Sequence, residues 1–181
     1  AVQLALGWAC WKTYLGRPDT DGPRCNAIGV LGNAFRDSRL PKEALPVLEA
    51  NLALRRRYMS HNEEIILVAQ NNLAGCLYGL KRHGEVLVIM REMYARCVDL
   101  VGVSNEKTIM IGSNMVNSLN ENLLWDESKT LVRDQLLPTA RRVLGPDHDI
   151  TLKLNNNLAA ALFQNPAGTR DDLLEAETTM Q

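Results

Sequence analysis

A short phrase recurs along this chain at a nearly constant interval. Asn71-Asn72-Leu73-Ala74, Ser113-Asn114-Met115-Val116 and Asn156-Asn157-Leu158-Ala159 stand 42 and 43 residues apart. A further step of 42 back from Asn71 reaches a weaker copy, Gly29-Val30-Leu31-Gly32. Self-similarity at such a period marks a repeat architecture, in which each unit buries its apolar face on its neighbours.

Each interval reads as two helices. Ile65, Ile66, Ala69, Leu73, Leu77 and Leu80 keep the i, i+3/i+4 spacing of a helix buried on one face. Asn62 stands where an N-cap belongs, with acids following it. Lys81-Arg82-His83-Gly84 predicts a tight turn, and Glu85 to about Leu100 a return helix. The other intervals repeat this. Ile28, Leu31 and Phe35 line an outgoing helix; Leu40-Pro41 turns the chain; Ala44 to Tyr58 returns. Ile109 to Leu123 goes out, Trp125-Asp126-Glu127 turns, and Ser128 to Leu144 returns. Pro138 lies inside that return helix, where the missing N–H predicts a kink. Asp147 to Gln164 goes out, with Asp147 as cap, and the turn-rich Asn165–Thr169 precedes a last helix from Asp171. Val2 to Leu15 reads as the return helix of a preceding unit.

The expected units are 1–22 (the second half of a repeat), 23–60, 61–102, 103–145 and 146–181 (incomplete), within a single array. Neither terminal helix has the polar outer face of a solenoid cap, so the array is expected to continue or to have its ends covered.

Composition narrows the function classes. A net charge of −1 lacks the basic footprint of a nucleic-acid binder. The run Arg55-Arg56-Arg57 falls at a helix C-terminus, where positive charge suits the macrodipole. No apolar stretch reaches the ~20 residues of a membrane helix, so no membrane insertion is expected. The four cysteines include no Cys-x-x-Cys pair, and Cys10, Cys76 and Cys97 fall in apolar helical stretches; this usage suits an intracellular, cytoplasmic setting kept reducing. His61, His83 and His148 are scattered, and Asp147-His148-Asp149 reads as a helix start, so no metal or other cofactor is expected. No phosphate-binding glycine loop follows a strand, and no nucleophile–base pair has a catalytic context. Trp8, Trp11 and Trp125 read as packing residues, Trp8 and Trp11 alternatively as an exposed interface patch.

The pattern resembles tetratricopeptide (TPR) repeats of the longer kind found in kinesin light chains. The resemblance rests on Asn71-Asn72-Leu73-Ala74 followed by Lys81-Arg82-His83-Gly84-Glu85-Val86, on Lys42-Glu43-Ala44, and on Glu175-Ala176. It rests also on the inter-repeat phrase Leu144-Gly145-Pro146-Asp147-His148, with a decayed copy at Leu15-Gly16-Arg17-Pro18-Asp19-Thr20. It covers essentially the whole chain. It implies an all-α, right-handed α–α superhelix of stacked helix-turn-helix TPR units. Gly32, Ala74, Val116 and Ala159 would then occupy the small-residue position where the paired helices cross. Val116, and Ser128 where Ala44 and Val86 stand elsewhere, imply looser packing of the third unit.

In this family the first helices line a concave groove. The register places Asn26, Asn33, Arg36 and Asp37 there, then Asn71 and Tyr78, then Ser113, Asn117, Asn120 and Glu121, then Lys153, Asn156 and Phe163. Asparagine offers donors and an acceptor, as an extended peptide backbone does. The adjacent Asn72, Asn114 and Asn157 are expected to bond between helices instead. The Lys/Asn clamp with which relatives grip a peptide C-terminus is not among these residues. The implied function is a non-enzymatic scaffold or adaptor that binds a protein or peptide segment in the groove. The alternative is a structural segment of a larger assembly, held through its ends and convex face.

Overall fold

The computed structural model describes residues 2–179. They form helices α1 (Val2–Tyr14), α2 (Gly22–Asp37), α3 (Pro41–Tyr58), α4 (Glu63–Gly79), α5 (His83–Val101), α6 (Glu106–Glu121), α7 (Trp125–Leu131), α8 (Leu137–Val143), α9 (Asp149–Gln164) and α10 (Arg170–Thr179). A π-helical turn, Val132–Leu136, joins α7 to α8 without a break. The described residues contain no strand. The helices group into two compact units, 1–89 and 90–181.

In the first unit α2 packs against α1, α3 and α4. Its crossings depend on side chains that are nearly absent. A Cβ on Gly32 would lie 2.6 Å from Leu48 Cδ2, and one on Gly7 would lie 2.7 Å from the Ala34 Cβ. The core here is built from Cys25, Ala27, Leu31, Ala44 and Leu48, continued into α4 by Leu73, Ala74 and Leu77. In the second unit α6, α7, α8 and α10 pack on α9. Ile109, Val116, Val132, Leu154, Leu158 and Ala176 form one buried cluster there. The third helix pair is not loose at its crossing: Val116 and Ser128 are both 0% exposed. A Cβ on Gly112 would stand 2.7 Å from Leu136 Cδ2.

The turns repeat with the helices. Arg39, Lys81 and Leu123 each adopt the left-handed backbone conformation, with φ of 62°, 62° and 61°. Beyond each, the next N–H closes a six-residue turn: Leu40 to Phe35, Arg82 to Leu77 and Leu124 to Leu119. This is the Schellman arrangement, which satisfies the carbonyls at a helix end. The connections between pairs use glycine for the same geometry: Gly16, Gly102 and Gly145 have φ of 94°, 82° and 96°. The glycines of the two Leu-Gly phrases are thus conformationally equivalent.

Several boundaries differ from the sequence expectation. Trp125 opens α7 rather than turning the chain, because Asn122 and Leu123 already make the turn. His83, expected in a turn, is the first residue of α5. Asn62 caps α4 as expected, accepting from the Ile65 N–H at 3.2 Å. The cap of α9 is His148, not Asp147: its Nδ1 accepts from the Ile150 N–H at 3.2 Å. Pro138 does not break its helix. The preceding π turn, in which the Leu137 N–H donates to the Val132 carbonyl, shifts the hydrogen-bond register before the proline is reached.

Candidate functional site

The residues assigned to a groove fall into two groups, exposed and already engaged. On α2, Asn26 is exposed, yet its Oδ1 accepts from Arg55 Nη2 at 2.9 Å. Arg55 reaches it from α3 as a buried side chain that also donates to the Ile65 carbonyl. Burial lowers the Arg55 pKa from its usual value, opposed by the nearby Cys25 thiol. Behind it, buried Asn51 donates to the Cys25 carbonyl. This buried polar group links α2, α3 and α4, and no periodicity of apolar residues announces it.

Arg36 is half-buried and engaged twice. Its Nη2 lies 3.0 Å from Asp37 Oδ1, and its Nη1 lies 3.5 Å from Asn72 Oδ1 on α4. Asn33 is half-buried, with its Oδ1 enclosed and unbonded, and Asp37 is exposed. In α4, Asn71 and Tyr78 are both exposed, seven residues apart and so on one side of the helix. The Tyr78 ring meets the His83 ring edge-on at 5.2 Å.

In the second unit, Ser113 is not on the surface at all. It is 1% exposed with an unbonded hydroxyl, because the contact of Gly112 with Leu136 sinks this stretch of α6. Asn120 is half-buried and donates to the Asn157 carbonyl at 3.1 Å. Asn117 is half-buried, and Glu121 is exposed. In α9, Lys153 reaches Asn114 Oδ1 at 2.8 Å, while Asn156 is exposed and makes no hydrogen bond to described residues. Phe163, 71% exposed, stands seven residues further on.

The second asparagines of the repeated phrase therefore join first helices to each other. Asn72 accepts from Arg36, Asn114 accepts from Lys153, and Asn157 donates to the Ser113 carbonyl at 3.4 Å. The first asparagines, Asn71 and Asn156, make no hydrogen bond to described residues with their amides. The same helices also expose apolar side chains that the register did not pick out: Val30, Val68 and Met110, at 46%, 51% and 44%.

Burial raises the Cys25, Cys76 and Cys97 pKa values, which keeps these thiols protonated. All four cysteines are free. Among the described residues, no group of three or more His, Cys, Asp or Glu side chains is placed to hold a metal ion.

No protein-family model matches the chain, and no curated protein sequence does. Solved structures do. The nearly identical TPR-like repeats of a kinesin-light-chain-type protein from Podosopora anserina superpose with a TM-score of 0.83 at 16% identity, covering 98% of this chain and 83% of that one. A point variant of those repeats gives 0.82 at 15% identity, covering 97% and 82%. BtubC (BKLC) from P. vanneervenii gives 0.75 at 13% identity, covering 98% and 69%. At such identities the likeness is one of fold. With the consecutively packed helices and the period described above, it makes this chain an all-α solenoid of TPR-like repeats.

Proposed function

We propose that the chain is a non-enzymatic scaffold whose first helices dock a segment of a partner protein. One observation supports this above the rest. In α4 and again in α9, an exposed uncommitted asparagine is followed seven residues later by an exposed aromatic ring, Asn71 with Tyr78 and Asn156 with Phe163. An amide can pair with both the N–H and the C=O of an extended backbone, while a ring two turns away covers an apolar side chain. Asn33, Asp37, Asn117 and Glu121 would add polar contacts beside these pairs, as would the polar hydrogens that Asn26 and Lys153 keep beyond their bonds with Arg55 and Asn114. Arg36, Ser113 and Asn120 act in this reading as internal supports, since their polar groups are buried or already paired. Docked segments in general draw most affinity from a few anchors, which the aromatic rings would be here.

The test is selection of peptides from a displayed random library against the chain, followed by affinity measurement on two double variants. Asn71→Ala/Tyr78→Ala and Asn156→Ala/Phe163→Ala should each weaken selected peptides by about tenfold or more, with helicity unchanged. Retention of full affinity by both variants would refute the assignment.

A second reading, a segment of a larger assembly, has one observation in its favour. A cleft of about 440 Å³ lies between α1, α2 and α3, walled by Trp8, Trp11, Ile28, Phe35 and Val47. Concentration-dependent oligomers lost on Trp8→Ser would support that reading; a monomer at all concentrations would count against it.

A further inference from the structure

The π turn creates a second feature, separate from the first-helix faces. Beside it lies a cavity of about 240 Å³ between α5, the following loop and the α7–α8 helix. Tyr94, Val103, Leu136 and Pro138 form its apolar walls, and Asp134, Gln135 and Thr139 its polar ones. Single π turns inside α-helices often accompany functional sites. Here the turn has a specific electrostatic result. The Leu137 N–H is spent on the Val132 carbonyl. Pro138 has no N–H, so it supplies a hydrogen neither to the Asp134 carbonyl, its α-helical counterpart, nor to the Arg133 carbonyl, its π-helical one.

Asp134 is the one charged side chain of the lining. Asp134 is exposed and makes no ion pair or hydrogen bond to described residues. The hydroxyls of Thr139 and Tyr94 likewise have no partner among them. One carboxylate, two hydroxyls and the Gln135 amide thus border an apolar slot. That calls for a group that is apolar along its length, cationic at its end and rich in donors. Arginine has this form: an alkyl stem and a planar guanidinium with five N–H donors. The aromatic Tyr94 wall also favours a guanidinium. The cavity lies below the roughly 300–1,000 Å³ of small-molecule sites, which suits one side chain rather than a whole metabolite.

We propose that this cavity receives an arginine side chain of a partner protein, its stem against Tyr94, Val103, Leu136 and Pro138 and its guanidinium on the Asp134 carboxylate.

The test uses the ¹⁵N-labelled chain and three probes: acetyl-Gly-Gly-Arg-Gly-Gly-amide, its citrulline counterpart and agmatine. The arginine peptide should shift the amides of Tyr94, Val103 and residues 134–137 and 139 in a saturable titration. Citrulline, equal in shape but uncharged, should bind at least about tenfold more weakly. Asp134→Asn should cause a similar loss; the side chain is exposed, so its folding is not at issue. Absence of localised shifts, equal binding of the citrulline peptide, or full affinity in Asp134→Asn would each overturn the proposal. Agmatine binding as tightly as the peptide would overturn the protein origin of the ligand and assign the cavity to a small amine.

Discussion

Gly32→Ala tests the packing that defines the helix pairs. In an exposed helix the substitution would stabilise the chain by about 1 kcal/mol, through the entropy glycine loses on folding. At position 32 the new methyl carbon would lie 2.6 Å from Leu48 Cδ2 and 2.8 Å from its Cγ. Carbon atoms prefer about 3.5–4.0 Å, so one partner must move by roughly 1 Å. Leu48 is 1% exposed and has no open side to retreat to. Overpacking of this kind costs about 1–3 kcal/mol, and the absence of an escape route points to the upper half of that range. The net expectation is a loss of about 1–2 kcal/mol. Gly75→Ala is the control. It lies on the exposed side of α4, where its methyl would meet the Arg36 side chain in ordinary contact, Nη1 at 3.5 Å and Cδ at 3.9 Å, so it should gain about 0.5–1 kcal/mol. The assay is urea unfolding followed by circular dichroism at 222 nm, comparing midpoints at constant slope. A double-mutant cycle sharpens it. Leu48→Ala alone should cost about 2–5 kcal/mol, and it removes the atoms with which the Gly32→Ala methyl clashes, giving a favourable coupling of about 2–3 kcal/mol. Stabilisation by Gly32→Ala equal to that of Gly75→Ala would refute the close approach of α2 and α3.

Ala74→Leu, at the equivalent crossing in α4 and 1% exposed, should cost about 1–3 kcal/mol, and Leu73→Ala about 2–5 kcal/mol; neutrality of both in the same melts would disprove the helix register. Leu123→Gly should be stabilising by up to about 1 kcal/mol, because it relieves a left-handed leucine that is 70% exposed, and a lowered urea midpoint would contradict this. Asp172 accepts from the Thr169 N–H at 3.0 Å and from its hydroxyl at 2.9 Å, and it lies 3.3 Å from Lys129 Nζ. These partners, the Thr169 backbone first, lower its pKa to about 2. A pKa depressed in the fold contributes stability above the unfolded value, near 3.8, that is lost as pH falls through about 2. Amide exchange in α10 should accelerate over that window, and Asp172→Asn should remove the dependence; an unchanged acid response in the variant would reject this linkage.

Much of the architecture was legible in the sequence for a definite reason. Burial of one face of a helix imposes a 3.6-residue rhythm, and stacking of similar pairs imposes the longer period. Both leave marks in residue order, so α2, α4, α6 and α9 could be located from Leu31, Leu73, Met115 and Leu158 and their spacing. The left-handed turns were less legible. Arg39, Lys81 and Leu123 occupy positions that glycine would advertise, and only their equal spacing gives them away.

The candidate sites divide along the same line. Sequence register by itself determined which positions sit on the first helices, and hence that Asn71, Tyr78, Asn156 and Phe163 share comparable places. It could not tell an exposed amide from one engaged by a neighbouring helix. That depends on atoms some 36 to 44 residues away in the chain, as the Arg36–Asn72 and Asn157–Ser113 hydrogen bonds show. Tertiary structure alone placed Ser113 beneath the surface, buried Arg55 between α2 and α4, and set the π turn before Pro138. A proline predicts only that one hydrogen bond is missing. Whether the helix kinks, breaks or inserts a residue is decided by what it packs against, here Leu136 pressed onto the bare backbone of Gly112.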